Sequence, residues 1–198
     1  MPKLGMEPVR RRALIEAAIE TIGAQGSLDV TMGRIAEAAG VSPALAHHYF
    51  GGKDRLLIAT MRHLLSEFGR LVAAELRRQE TPRARISAVV AKSFAPEQFA
   101  PGNVAAWLAF YVRAQSDPEA QRLLRVYKRR VHSNLVEPLA RLAPRADAER
   151  IADGTAAMID GLYIRRALRD GGPDAEATVR LVERHVDDAL AALARREG

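Results

Sequence analysis

Residues 31–53 read Thr-Met-Gly-Arg-Ile-Ala-Glu-Ala-Ala-Gly-Val-Ser-Pro-Ala-Leu-Ala-His-His-Tyr-Phe-Gly-Gly-Lys. The stretch has room for two very short helices about one tight turn, the layout of a helix-turn-helix whose second helix enters the DNA major groove. Thr31 caps the first helix, which carries Ile35, Ala36 and Ala39, because its hydroxyl accepts from an otherwise orphan backbone N–H. Arg34 stands where an acidic residue would complete a capping box. Gly40 ends that helix, since glycine takes the left-handed conformation without a Cβ clash. Ser42 and Pro43 start the next at once: an N-cap, then a residue whose missing N–H has no intrahelical partner at that position anyway. Ala46 and Phe50 share one face at i and i+4, with Ile35 and Val41 as core partners. Pro43, Ala44, His47 and Tyr49 are read as lying away from that face, and His48 as pointing inward. The outward set is free to meet DNA; an ordinary helical hairpin within a core is the competing reading.

Around this segment helical punctuation dominates and strand signals are almost absent. Pro8 and Arg10 to Arg12 precede an amphipathic segment with Leu14, Ile15, Ala18, Ile19 and Ile22 that ends at Gly23 to Gly26. Lys53 opens a long helix through Leu56, Met61, Leu65, Phe68 and Leu76, which Thr81-Pro82 breaks. Further helices are predicted at about 82–95, 103–115, 118–142, 146–169 and 174–195, divided by Pro96, Pro101-Gly102, Asp117-Pro118, Pro144 and Gly171-Gly172-Pro173. The expected fold is all-α: an N-terminal three-helix head over 1–54, and a helical domain over 55–198.

Composition bounds the function. The chain has 198 residues, a formal net charge of +6 and no cysteine. It is long enough for a substantial core, and its basic balance suits a polyanionic partner, although solvated arginine gives the same number. A disulfide framework and a thiolate zinc site are both excluded. The N-terminus has no apolar signal region and no stretch approaches a membrane span, so a cytoplasmic protein without membrane association is expected. Catalysis is disfavoured: the five histidines form no metal motif, and there is no Gly-rich phosphate loop, no Gly-x-Ser-x-Gly elbow and no cysteine nucleophile. No cofactor and no metal are expected.

A Thr-x-x-x-Ile-Ala-x-x-Ala-Gly-Val-Ser segment running into Tyr-Phe and a helix-opening lysine closely resembles the signature of the TetR family of bacterial repressors. Here it is Thr31, Ile35, Ala36, Ala39, Gly40, Val41, Ser42, Tyr49, Phe50 and Lys53. The resemblance implies a TetR-like fold of nine helices, and a DNA-contacting set of Thr31, Ser42, Pro43, Ala44, Leu45, His47, Tyr49 and Lys53. Lys53, with Arg10 to Arg12 nearby in sequence, would neutralise phosphates and supply affinity rather than sequence choice. Tyr49 and His47 can donate to phosphate, and Leu45 can pack on a thymine methyl. Position 47 is usually tyrosine in the family.

The last two helices carry Ala152, Ala156, Ile159 and Tyr163, then Val179, Val182, Val186, Ala189, Leu190 and Leu193, at helical spacing. They either complete a monomer core or, as the resemblance implies, pair with a second copy in a four-helix bundle. A two-fold homodimer would present two reading helices to a near-palindromic operator.

Trp107, Phe110 and Tyr111 share one helical face in a chain only 5% aromatic. Core packing explains such clustering, and so does a ligand chamber closed by Tyr127 and Asn134 on one helix and Asp160 and Tyr163 on another. Aromatic faces beside a carboxylate suit a quaternary ammonium ion, which has no proton to donate and must be held by ring quadrupoles and charge. The opening Met-Pro-Lys-Leu-Gly-Met-Glu-Pro-Val-Arg-Arg, Ala59-Thr-Met-Arg, Trp107-Leu-Ala-Phe-Tyr, Ser133-Asn-Leu and Ile159-Asp-Gly-Leu-Tyr sharpen the choice. Together they are similar to the TetR-type repressors of the choline-to-glycine-betaine pathway, which implies choline as inducer. Tyr111 and Tyr163 stand where that resemblance leads one to expect tryptophan. The alternatives are a TetR-type regulator answering a lipophilic cation or an acyl thioester, and a helical interaction module that does not bind DNA.

Overall fold

The computed structural model describes residues 5–26, 29–168 and 174–197, so the predicted break at Gly171-Gly172-Pro173 and the opening Met1 to Leu4 lie outside the described residues. Nine α-helices and no strand occur among the described residues: α1 (Met6–Gln25), α2 (Met32–Ala38), α3 (Pro43–Phe50), α4 (Lys53–Leu76), α5 (Pro82–Ser93), α6 (Pro101–Arg113), α7 (Pro118–Leu139), α8 (Arg145–Ala167) and α9 (Ala175–Glu197). A 3₁₀ turn, Pro96–Phe99, follows α5. The chain packs as two compact units, residues 1–66 with 100–124 and residues 67–99 with 125–198, whose boundaries fall within α4, between the 3₁₀ turn and α6, and within α7.

The first unit is built around α1, whose Leu14, Ala17, Ala18 and Ile22 are buried on one stripe. Val30, Met32, Ile35, Ala36, Ala46, Phe50, Leu56 and Leu57 join them in one core. Two glycines let α6 lie directly on α1. A Cβ on Gly23 would stand 2.5 Å from both the Cα and the backbone N of Gly102, and a Cβ on Gly102 would run into the carbonyl oxygen of Ile19. Backbone meets backbone there, so only glycine fits at either position.

In the second unit the core is formed by Phe68, Val72 and Leu76 of α4, Ile86 and Val89 of α5, Val131, Leu135, Val136 and Leu139 of α7, Ile151 and Ala152 of α8, and Val186 of α9. Thr81 starts α5, its side chain accepting from the Ala84 N–H at 3.2 Å ahead of Pro82. Arg83 then grips Asp187 of α9 through two bonds, 2.7 and 3.0 Å long. The fork matches carboxylate geometry and fixes the register of α5 on α9.

Helix ends differ from expectation by a few residues, for local reasons. α7 stops at Leu139 rather than 142: beyond it the Arg141 and Leu142 N–H groups turn to the carbonyls three residues back, those of Pro138 and Leu139, and tighten the last turn. α6 begins at Pro101 rather than 103, with the proline in the first turn, where no donor is needed.

Candidate functional site

The turn between α2 and α3 is closed by backbone bonds of near-neighbour residues. Thr31 accepts from the Arg34 N–H and Ser42 from the Leu45 N–H, each at 3.2 Å. At the α2 end Val41 N–H donates to the Ala36 carbonyl at 2.9 Å and Gly40 N–H to that of Glu37 at 3.0 Å, with Gly40 at φ 64°. These are the paired bonds of a Schellman stop, which satisfy carbonyls the helix leaves open. Gly51, at φ 73°, ends α3 by donating to the His47 carbonyl, two residues before α4 begins.

Burial on α3 separates scaffold from surface. Ala46 and Phe50 are buried, Leu45 and Tyr49 half-buried, and Pro43, Ala44, His47 and His48 exposed. The expectation that His48 points inward is therefore corrected. Two residues past Ala46, His48 lies some 200° round the helix, on the same face as Ala44, and that spacing was available in the sequence. Thr31 and Ser42 are exposed and Lys53 half-buried. The capping oxygens of Thr31 and Ser42 use a lone pair, which leaves their hydroxyl hydrogens able to donate.

Of the arginines before α1's apolar stripe, Arg11 ties α1 to the end of α3. Arg11 donates to the Tyr49 carbonyl at 2.7 Å, and its guanidinium carbon lies 4.7 Å from the centre of the Phe50 ring. A cation on the last carbonyls of α3 is favoured by the helix dipole. Arg12 pairs with Glu16 at 2.8 Å. Residues 1–54 contain six Lys or Arg and six Asp or Glu, so their formal charge is zero and the whole positive excess lies beyond them. The exposed cations Arg122, Arg125, Lys128, Arg129 and Arg130 of α7 carry much of it.

The seven residues expected around a ligand fall into both units. In the first, the Trp107 ring lies 6.0 Å from Phe110, edge-on, and 5.7 Å from Tyr111. Trp107 and Phe110 are buried, and Tyr111 is half-buried. In the second, Tyr127 and Asp160 meet: the Tyr127 hydroxyl donates to Asp160 Oδ1 at 3.4 Å, and its ring is 6.0 Å from that of Phe68. Both line an open groove of about 360 Å³ between α7 and α8, with Lys128, Arg129, His132 and Asp153. Burial pushes the Asp160 carboxyl above the usual carboxylate range, against the opposing pull of Lys128 and the Tyr127 hydroxyl. His132 Nε2 lies 3.2 Å from Asp153 Oδ1 across the groove, a pairing no sequence pattern announced. Asn134, half-buried, is not among the groove residues. Tyr163 is buried and turned to the 3₁₀ turn: its hydroxyl donates to the Gln98 carbonyl at 3.0 Å and its ring stacks 5.1 Å from Phe99. Burial raises its phenol further above the ordinary tyrosine value. Among the described residues no helix is long and apolar enough to cross a membrane.

Comparison with known proteins agrees with this architecture. Residues 14–60 match the family model for bacterial regulatory proteins of the tetR family, and residues 82–191 match that for the BetI-type transcriptional repressor C-terminal domain. The chain is 60% identical over 186 residues to the HTH-type transcriptional regulator BetI of Brucella melitensis biotype 2, covering 94% of each. It is 56% identical over 192 residues to the BetI of Rhizobium meliloti strain 1021, covering 97% of this chain and 95% of that one. A regulator from Pseudomonas aeruginosa PAO1 superposes with a TM-score of 0.82 at 28% identity, over 96% of this chain and 94% of that one. A regulator from Saccharomonospora viridis, crystallised with choline, superposes with a TM-score of 0.79; at 21% identity over 89% and 95% of the two chains, that likeness speaks to the fold. These relatives are regulators and not enzymes. The chain belongs to the TetR family of bacterial transcriptional regulators and is a DNA-binding repressor with a C-terminal domain of the BetI type.

Proposed function

We propose that this repressor acts in the cytoplasm as a homodimer, covers a near-palindromic operator beside choline and glycine betaine genes, and leaves it when choline binds. The observation that carries the reading is the exposed face of α3, held on a buried scaffold, in a chain 60% identical to a BetI regulator over almost its whole length. Function divides at the start of α4: residues 1–54 bind DNA, and residues 55–198 bind ligand and dimerise. Thr31, Ser42, Pro43, Ala44, Leu45, His47, Tyr49 and Lys53 make the DNA contacts. Lys53 supplies phosphate affinity; the α3 face reads bases.

Dimerisation is supported by what α8 and α9 leave uncovered: Ala157 and Gly161 of α8 are exposed, as is Leu181 of α9 at 41%. Apolar surface of this kind is covered by a second copy in a two-fold pair, which sets two α3 helices about 34–36 Å apart, or a multiple of that, for successive major-groove faces.

For the inducer, support within the second unit comes from the Tyr127 ring and the Asp160 carboxylate in the groove between α7 and α8. A quaternary ammonium there gains up to about 2 kcal/mol per desolvated ring, and the half-buried carboxylate gains the cation its burial calls for. The choline complex of the Saccharomonospora viridis regulator lends the ligand class further weight. Release then requires only that choline bind the DNA-free form more tightly than the DNA-bound form.

The test is to titrate the purified protein onto its own upstream intergenic duplex, with and without saturating choline, at fixed salt. Choline should lower the affinity, and Lys53→Ala should reduce the salt slope by about one. Unchanged affinity under choline refutes the inducer assignment, and calorimetry with betaine aldehyde and a lipophilic cation then identifies a different one.

A further inference from the structure

Arg113, in the last turn of α6, holds three helix ends of the first unit together. Its Nη1 donates to Asp54 Oδ1 at 2.9 Å, and its Nε donates to Asp117 Oδ2 at 2.8 Å. Asp54 lies in the first turn of α4, immediately after Lys53. The other oxygen of Asp117 accepts the N–H groups of Glu119 at 2.8 Å and Ala120 at 3.2 Å, and so caps α7. A second bridge, Arg62 to Glu119 at 2.8 Å, ties the body of α4 to the start of α7. Each charge sits at the helix end its sign suits, the cation at the C-terminus of α6 and the carboxylates at the N-termini of α4 and α7. Arg113 holds the Asp54 carboxyl below the ordinary carboxylate range.

The position of Asp54 gives this cluster its consequence. The head has no net formal charge, so its hold on a polyanion rests on individual cations rather than on a general positive field. A bare carboxylate next to Lys53 would subtract directly from such a contact. We propose that Arg113 is a positioning residue for DNA binding: by neutralising Asp54 it keeps that carboxylate from repelling the phosphate held by Lys53. Displacement of the end of α6 from the start of α4 then weakens DNA binding through charge as well as through geometry. This rests on the DNA-binding reading above, and it adds a path by which α6 reports to the head.

Because the effect concerns phosphate affinity, a short random-sequence duplex is a sufficient probe, and fluorescence anisotropy at two salt concentrations is the readout. Arg113→Met should weaken binding about two- to five-fold, the range of a partly exposed ion pair, and more so at low salt. Asp54→Asn added to Arg113→Met should restore wild-type affinity, since the carboxylate beside Lys53 is then gone, while Asp117, which also loses Arg113, still caps the start of α7. A double variant as weak as Arg113→Met, or an Arg113→Met protein that binds like wild type, would overturn the proposal. If Arg113→Met fails to fold by circular dichroism, Arg113→Lys puts the same question: retained charge should retain affinity, whereas a purely geometric role for the guanidinium fork should lose it. Wild-type protein with no salt-dependent affinity for duplex would overturn the DNA-binding reading and this inference with it, an outcome distinct from a failed rescue.

Discussion

Exchanging Gly23 for alanine tests the packing that carries the first unit. The added Cβ would stand 2.5 Å from the Cα and backbone N of Gly102, and neither atom belongs to a flexible side chain that can swing aside. α1 and α6 must therefore separate, an overpacking penalty of about 1–3 kcal/mol. Alanine recovers up to about 1 kcal/mol of helix propensity over glycine in α1. Because the clash is backbone on backbone the penalty lies at the upper end of that range, so the net loss is about 2 kcal/mol, which at this chain length lowers the thermal midpoint by roughly 4–8 °C. Gly33→Ala is the matched control. Its Cβ would meet nothing nearer than the Thr31 hydroxyl oxygen at 3.8 Å, so the propensity gain stands alone and the midpoint should hold or rise. Melting curves by far-UV circular dichroism compare the two. If Gly23→Ala melts at or above wild type, the close approach of α1 and α6 is wrong, and with it the reason for glycine at both positions.

Three further outcomes follow from the geometry. Ser42→Ala removes the acceptor for the Leu45 N–H and should destabilise the head by about 1 kcal/mol, with a matching loss of operator affinity; Ser42→Asp should restore most of the stability, read by thermal melting. His48→Ala should change stability by less than about 0.5 kcal/mol, because the side chain is exposed, while reducing operator affinity if the outer face of α3 meets DNA; a large fall in melting temperature would return His48 to the core. Asp160 and Asp187 should show opposite pH dependence. Burial raises the Asp160 carboxyl, so Asp160→Asn should stabilise at neutral pH and the gain should vanish as pH falls below the ordinary value of 3.8. Arg83 holds Asp187 low, so Asp187→Asn should destabilise at neutral pH, by under about 1 kcal/mol for this partly exposed pair, and the difference should disappear as wild-type Asp187 is protonated in acid. Melting temperature against pH for each variant checks the signs, and a common sign would refute the assignment of causes.

What could be read from the chain before any coordinates was whatever closes within a few residues. Thr31 to Arg34, Ser42 to Leu45 and the Gly40 stop are bonds between near neighbours, and the prolines interrupt helices through their own covalent geometry, so sequence order already brings the partners together. The spacing of His48 holds its placement, because a histidine suits either face of a helix until the two residues that anchor it, Ala46 and Phe50, are weighed first. The candidate ligand residues were legible only as residue types: the structure pairs Tyr127 with Asp160, turns Tyr163 to the Gln98 carbonyl and leaves Asn134 outside the groove.

Contacts between distant positions were decided by tertiary packing alone. Arg11 reaches the Tyr49 carbonyl across 38 positions and Arg113 reaches Asp54 across 59. An arginine three or four residues from an acid along a helix announces its partner, as Arg12 does with Glu16; one whose partner lies on another helix carries no local mark of it. Gly23 and Gly102 show the same limit, since a glycine inside a helix reads as a weakness until a second backbone is found lying against it.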